Sequence, residues 1–298
     1  MRPRRRRSRG EILARRLLAL AGAALLLGGA AFAAWVVFRS GGGEAAPPST
    51  PTITVAAPKP FRIVFPEGFT RAQMADRVTA VARIAKRKRP HAKIVLTKKA
   101  YLANSKPRAI PGFGKKKRPL EGFLFPATYD FLPRTTGRQL VNAQIAAFLR
   151  NFKSLDLGYA ASKDLTPYDV VVIASMVERE AEVPDERAKI AAVIYNRLHA
   201  GMTLGIDATI RYGLHVPPTK SLTKSELASD NPYNTRKHAG LPPTPIANPG
   251  LAALQAAAHP AKVDYLYYVR KPDHRHHYFT SSYNDFVNHE NRYAAQGG

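Results

Sequence analysis

Residues 166–181 read TPYDVVVIASMVEREA. Thr166 can cap a helix N-terminus, Pro167 fits the first helical position, and Asp169 lies in the first turn. The apolar residues that follow recur with helical spacing, which predicts an amphipathic helix packed against the core of the second half of the chain.

The predicted helix ends in two glutamates, Glu178 and Glu180, on either side of Arg179. At about 100° per residue both glutamates fall at the edge of the apolar face, so periodicity does not choose between a catalytic and a structural role. Glu178 has Ala174 and Ser175 one turn before it, and these small residues leave room for a ligand lying against the helix.

The N-terminus predicts a membrane anchor. Six arginines lie within the first ten residues, and residues 17–38 form a run of 22 residues without a charge. Such a run spans about 33 Å as a helix, enough to cross a bilayer. The arginines place residues 1–16 in the cytoplasm and the rest of the chain outside. A cleaved signal peptide is the alternative interpretation.

Residues 39–60 are rich in Gly, Pro, Ser and Thr, which indicates a flexible stalk. The chain has no cysteine, which excludes disulfides, thiolate zinc sites and cysteine nucleophiles. Its net charge is +25, and residues 83–118 contain fourteen Lys and Arg and no acid. This run is either a solvated face or a surface for a polyanion, and the predicted topology favours anionic lipids or wall polymers over nucleic acid.

Two folded pieces are expected after the stalk. Residues 61–132 predict a small strand-helix-strand module, with strands over 61–65 and 93–97 around a helix that starts after Thr70. Residues 133–293 predict several helices and a strand over 264–271, and the proline-rich stretch 240–250 is expected to be an ordered loop over the core. The mixed order of helices and strands predicts an α+β fold.

The motifs of serine hydrolases and nucleotide-binding proteins are absent from the sequence, and the nine histidines lack metal-site spacing, so neither a metal nor a cofactor is expected. What remains is one acid with polar and aromatic support. The candidate residues are Glu178, Asp207, Thr209, Tyr212, Tyr233, Asn234, Thr235 and His277. Enzymes that cleave carbohydrates commonly use a carboxylic acid to protonate a glycosidic oxygen. A lytic transglycosylase can use a single acid, because a hydroxyl of the sugar itself is the attacking group.

An ordered set of segments carries a family resemblance: EGFLFPATYDF, IASMVEREA, VIYNRL, GMTL, DATIRYG, NPYNT, GLPPTPIANPG, AAHPAK and YLYYV. Together they resemble the endolytic murein transglycosylases of the YceG-like family, over roughly residues 61–290. Residues 61–132 are similar to the LysM-like subdomain of that family, and 133–293 to its catalytic domain.

The resemblance implies a membrane-anchored enzyme that cuts nascent peptidoglycan strands internally, after N-acetylmuramic acid, and leaves 1,6-anhydro ends. By motif position it implies Glu178 as the acid/base and a supporting role for Glu180. The other candidate residues would shape the glycan cleft, with the loop 240–250 as one wall. The implied location is the bacterial inner or plasma membrane, single-pass, with the catalytic domain outside. The implied partners are peptidoglycan strands and penicillin-binding synthases, with no nucleic acid.

Two positions depart from the family pattern. Gly205 stands where many relatives have glutamine, and Phe286 stands where relatives have a second histidine. A membrane-anchored protein that binds peptidoglycan or another polyanion without catalysis is the alternative hypothesis.

Overall fold

A computed structural model describes residues 59–296. The predicted cytoplasmic tail, the predicted membrane helix 17–38 and all but the end of the predicted stalk lie outside the described residues. Within 59–296, none of the helices combines the length and the apolar character needed to cross a bilayer. The described residues belong to one compact unit.

The first elements are strand β1 (Phe61–Val64) and helix α1 (Arg71–Lys88). The helix start predicted after Thr70 is confirmed. It is fixed by a capping box, in which the Thr70 side chain accepts from the Gln73 backbone N–H while the Gln73 side chain accepts from the Thr70 backbone N–H. The box satisfies two N–H groups that the first helical turn would leave unpaired. One face of α1 is buried against the core.

The second strand predicted for the first module, 93–97, is wrong. These residues run as irregular chain, with one hydrogen bond from the Val95 backbone N–H to the Pro133 carbonyl (3.0 Å). The partner of β1 is β2 (Thr128–Phe131), paired antiparallel to it. The last residue of the segment, Thr97, instead caps helix α2 (Lys98–Asn104). Because the Thr97 side chain caps α2, the end of this segment belongs to the start of a helix and not to a strand.

The centre of the fold is helical. Its elements are α3 (Gly137–Lys153), α4 (Gly158–Ala161), α5 (Pro167–Glu180), a 3₁₀ turn (Pro184–Glu186), α6 (Arg187–His199), α7 (Asp207–Leu214), α8 (Lys224–Leu227) and α9 (Leu251–Ala258). Helix α5 lies in the middle and is buried from Val170 to Val177, not only on the predicted apolar face. It is covered because α6 and α9 both pack against it.

The chain ends in a hairpin and a helix. Strands β3 (Tyr267–Arg270) and β4 (His277–Thr280) pair antiparallel, and α10 (Tyr283–Ala294) packs against them. The strand predicted over 264–271 is therefore confirmed in its second half. Two small sheets among many helices make the mixed α+β architecture that the sequence predicts.

The proline-rich loop 240–250 is ordered and buried over its second half, as predicted. Asn248 holds it in place. Its Oδ1 accepts from the backbone N–H groups of Gly122 (2.9 Å) and Leu124 (3.0 Å), while its Nδ2 donates to the Phe69 carbonyl (2.9 Å) and to Glu121 (2.7 Å). One buried amide thus ties together three distant parts of the chain.

Candidate active site

The two glutamates at the end of α5 lie on different sides of the helix. They are two residues apart, which places their side chains roughly 200° apart around the axis. Each side meets different parts of the protein, so the two carboxyls have different surroundings although they share one motif.

The side of Glu178 is partly covered by the chain's own loops, and the residue is half-buried. Its Oε2 accepts from the Gly250 backbone N–H (3.0 Å), and the backbone of Gly68 packs beside its side chain. One turn back, Ser175 Oγ accepts from the Ile246 backbone N–H (3.0 Å). The space predicted for a ligand over the small residues is therefore filled by the loop 246–250. Burial raises the pKa of Glu178, and the Glu67 carboxylate adds to this.

Glu180 is half-buried as well, and its side of the helix borders a cavity. Its carboxyl lines a cavity of about 860 Å³, and its Oε2 accepts from the Tyr268 hydroxyl on β3 (3.1 Å). Within residues 59–296 its other oxygen accepts no hydrogen bond. Burial raises the pKa of Glu180, while the Tyr268 hydrogen bond and the nearby His277 lower it. A carboxyl with a raised pKa and a free oxygen facing a cavity is suited to donate a proton.

The lining of this cavity combines charged groups and aromatic rings. Two carboxylates are paired, Asp207 with Arg236 (2.7 Å) and Glu182 with Arg270 (3.0 Å). Guanidinium groups present planar donor forks to anionic groups, and aromatic rings present flat apolar faces. The remaining charged and aromatic lining residues are Arg179, Arg197, Arg211, Glu290, Tyr267, Tyr283 and Phe286.

His277 lines the same cavity from β4, and its ring is fixed from behind. Its Nδ1 lies 2.7 Å from Glu186 Oε2, and its backbone N–H donates to Glu186 Oε1 (2.8 Å). Both side chains are buried. The imidazole meets the Tyr268 ring edge-on at 5.2 Å between centroids. The Glu186 carboxylate therefore holds the hairpin that carries the hydrogen-bond partner of Glu180.

A second cavity of about 520 Å³ adjoins the first, because both are lined by Arg179, Ala208, Arg211 and Pro218. Glu121 lies in its wall, only 6% exposed. Its Oε1 accepts from the Arg71 backbone N–H (2.8 Å) and from Asn248 Nδ2, and its Oε2 accepts from the Tyr212 hydroxyl (3.2 Å). Burial raises the pKa of Glu121 to about 7.

Three of the predicted site residues line a cavity. Asp207 and His277 line the larger one, and Tyr212 lines the smaller one. Glu178 lines neither. Gly205 and Phe286, where the chain departs from its family, both line the larger cavity, and the Phe286 ring stacks on Tyr267 (5.4 Å between centroids).

The other predicted residues lie in the wall behind the cavities. Thr209 and Thr235 are buried with their hydroxyls 2.9 Å apart, and the Tyr233 hydroxyl lies 2.8 Å from that of Thr244. Asn234 is buried and donates to the carbonyls of Leu227 (3.0 Å) and Ser229 (2.7 Å). Their contacts in the structure hold the backbone of the wall.

Sequence reasoning missed the roles of Glu121, Glu186 and Tyr268, and it gave Glu180 a supporting place. The roughly 200° between Glu178 and Glu180 was the one available signal that they serve different surfaces. The contacts of the others come from segments about 90 residues away in sequence, which no local pattern reveals. Among residues 59–296, no cluster of three potential metal ligands is present.

The structure is that of a mixed α+β protein with a carboxylic acid on a polar and aromatic cavity. The chain belongs to the YceG-like family, which matches residues 49–292.

Named relatives agree with this assignment. The chain is 40% identical over 159 residues to an endolytic murein transglycosylase of Bacillus subtilis, covering 52% of this chain and 43% of the relative. It is 34% identical over 224 residues to an endolytic murein transglycosylase of Streptococcus pneumoniae, covering 70% of this chain and 40% of the relative. The matches thus span about two fifths of the length of these relatives. A crystal structure of a YceG-like protein from Listeria monocytogenes has a TM-score of 0.66 at 30% identity, covering 78% of this chain and 76% of that one.

Proposed function

We propose that this protein is a lytic transglycosylase that cleaves peptidoglycan glycan strands internally and leaves 1,6-anhydro ends. The observation that carries the proposal is Glu180, a half-buried residue whose carboxyl lines the larger cavity and accepts a hydrogen bond from Tyr268. The names of the relatives support the substrate class.

The reaction needs one acid/base group. Protonated Glu180 gives its proton to the glycosidic oxygen, and the bond from that oxygen to the N-acetylmuramic acid C1 breaks with oxocarbenium character. The Glu180 carboxylate then accepts the proton of the C6 hydroxyl as O6 bonds to C1. The carboxyl ends protonated, as it began, and no water is consumed.

Family motif position alone predicts Glu178 as the acid, and this stays a prediction. Access favours Glu180. A proton donor must come within hydrogen-bond reach of the glycosidic oxygen. Glu178 accepts a hydrogen bond from Gly250, packs beside Gly68 and lines neither of these two cavities, whereas Glu180 lines the larger one.

Asp207 makes hydrolysis an alternative reaction. It lines the same cavity and could act as the second carboxylate of a hydrolase, which would leave reducing ends. Its ion pair with Arg236 favours a positioning role, because the guanidinium already occupies one of its oxygens.

The test is product analysis on purified, uncrosslinked peptidoglycan strands. Mass spectrometry would compare the wild type with two isosteric variants, Glu180→Gln and Glu178→Gln. We expect anhydro-ended fragments from the wild type, a loss of about 10³-fold in kcat for Glu180→Gln, and a far smaller loss for Glu178→Gln.

Each other outcome has a distinct meaning. The reverse order of the two variants would assign the acid to Glu178. Reducing ends would indicate hydrolysis with Asp207 as the second carboxylate. Strands that are bound but not cut, even by the wild type, would favour the alternative function, a non-catalytic protein that binds peptidoglycan.

The proposal also includes the predicted topology: a single membrane helix over 17–38, a cytoplasmic N-terminus and the described residues outside the cell membrane. The segment 61–132 is proposed to act as the LysM-like glycan-binding part, and penicillin-binding synthases are the proposed protein partners. A periplasmic-type reporter fused after residue 298 tests the topology, since it is active only if the C-terminus lies outside.

A further inference from the structure

One end of the fold carries dense positive charge where the described chain begins. We call it the basic end and define it as Lys59, residues 83–93, Leu132 and Arg134. Its Lys and Arg side chains are exposed, except that of Arg89, which is half-buried. The last turn of α1 alone contributes three consecutive cations, Lys86, Arg87 and Lys88.

Direct contacts bring these segments together. The Arg89 Nη2 donates to the Lys59 carbonyl (2.5 Å), and its guanidinium lies over the Phe61 ring, 4.6 Å from the centroid. Phe61 pairs with Phe131 in the ladder, with 5.5 Å between the ring centroids. Leu132 follows at once. The C-terminus of α1, the start of β1 and the end of β2 therefore meet at one place.

Two large apolar side chains are exposed among these cations. Ile84 is 41% exposed and Leu132 is 42% exposed. On the surface of α1, Ile84 has Arg87 and Lys88 as its i+3 and i+4 neighbours. Exposed apolar side chains among cations are typical of surfaces that lie in the headgroup region of a bilayer.

The charge at the basic end is not neutralised from within the fold. Residues 83–118 contain no acid. Within 59–296, the side chains of Arg83, Lys86, Arg87, Lys88 and Lys93 form no ion pair. The nearest acid in the sheet, Asp130, already faces Arg62 (3.8 Å).

We propose that the basic end is a peripheral membrane contact that binds the headgroups of anionic phospholipids, with Ile84 and Leu132 reaching the boundary of the acyl chains. A dissolved polyanion would satisfy the cations but would offer nothing to the two apolar residues. A bilayer would also be within reach if residues 39–58 form the stalk predicted from the sequence, because a flexible chain of that length spans about 25 Å. This inference does not depend on which glutamate is the acid.

The test uses residues 59–298, which contain the compact unit without the predicted membrane helix, and its folding is checked by circular dichroism. Sedimentation measures binding to vesicles of phosphatidylcholine alone or mixed with phosphatidylglycerol. We expect binding to the anionic vesicles only, and weaker binding as salt is added, because salt screens exposed charges.

Two variants of equal charge locate the surface. Lys86→Gln/Arg87→Gln/Lys88→Gln should bind anionic vesicles on the order of 100-fold more weakly, at about fivefold for each cation removed. The control, Lys115→Gln/Lys116→Gln/Lys117→Gln, changes three exposed lysines of one loop. Phe113 of this loop packs against Phe148 and Phe152 near the C-terminus of α3, whereas Leu132 precedes the N-terminus of that helix. It should bind within about twofold of the wild type if binding needs contact at the basic end. Equal losses in both variants would overturn the proposal.

A third variant separates a bilayer from a dissolved polyanion. Ile84→Ser/Leu132→Ser should weaken vesicle binding about tenfold by removing apolar area, and should leave binding to soluble polyphosphate unchanged. Both residues are exposed, so thermal melting should match the wild type. Unchanged vesicle binding by this variant would mean a polyanion surface and would overturn the lipid assignment.

Discussion

The two sides of the end of α5 differ in access, not in the direction in which their carboxyl pKa values move. Burial raises the pKa of both Glu178 and Glu180. The Glu178 side, which we call the closed side, is partly covered by the loop around Asn248 and Gly250, whereas the Glu180 side, which we call the open side, borders the larger cavity. A perturbed carboxyl is thus a candidate acid only where a substrate can reach it. Changes on the closed side should act on stability, and changes on the open side on activity.

The largest expected effect is on the closed side. Asn248→Ala removes an amide that makes four hydrogen bonds and is fully buried. We expect a loss of about 4 kcal/mol in the free energy of unfolding, because buried partners are left unsatisfied. Urea unfolding measures it. Asn248→Asp keeps the two hydrogen bonds that Oδ1 accepts. Its loss in the free energy of unfolding should be smaller than that of Asn248→Ala only if those two bonds provide most of the stabilisation. A loss of under about 1 kcal/mol for the alanine variant would mean that Asn248 does not hold the loop.

Glu121 should make the free energy of unfolding depend on pH. Its pKa is about 7 in the folded protein and 4.5 as an ordinary carboxyl. Between these values the unfolded chain has released its proton while the folded protein keeps it, so stability falls as pH rises. We expect a loss of about 3 kcal/mol that is complete above about pH 7. Glu121→Gln should abolish this component in melts from pH 4 to 8; an unchanged profile would assign it elsewhere.

A glycine pair tests how tightly the closed side is packed. Gly122 has φ +88°, and an added Cβ would lie 2.6 Å from Pro245 Cγ and 2.8 Å from Val171 Cγ1. Gly112 has φ +84° with nothing within 4 Å. Gly112→Ala should cost about 1 kcal/mol for the backbone alone, and Gly122→Ala about 2 kcal/mol more for the overpacking. Equal losses in the free energy of unfolding for the two variants, measured by chemical denaturation, would show that the loop moves to accommodate the added methyl group.

The smallest expected effect lies on the open side. Tyr268→Phe removes the hydrogen bond that lowers the pKa of Glu180. An acid catalyst is active below its pKa, so the alkaline limb of kcat against pH should move to higher pH. Glu186→Gln should move the limb in the same direction by less, if His277 positions Tyr268. A role that is only structural would lower kcat at every pH without moving the limb.

Local signals in the sequence were reliable where the structure is local. The capping boxes at Thr70 and Thr166 start their helices as predicted, because each motif satisfies its own helix end. The strand over 93–97 was wrong because strands need partners, and the partner of β1 comes from 128–131. The difference between Glu178 and Glu180 was out of reach for the same reason. It is set by Gly250 and Tyr268, about 70 and 90 residues further along the chain.

Helix α1 connects the smaller cavity to the basic end. Its first turn borders the smaller cavity through Arg71, and its last turn belongs to the basic end. Eighteen residues of helix make a rigid rod of about 27 Å. If the basic end rests on lipid, the length of this rod limits how far the cavities lie from the bilayer. A protein that cuts glycan as proposed above would then reach only the part of a strand that passes near the membrane.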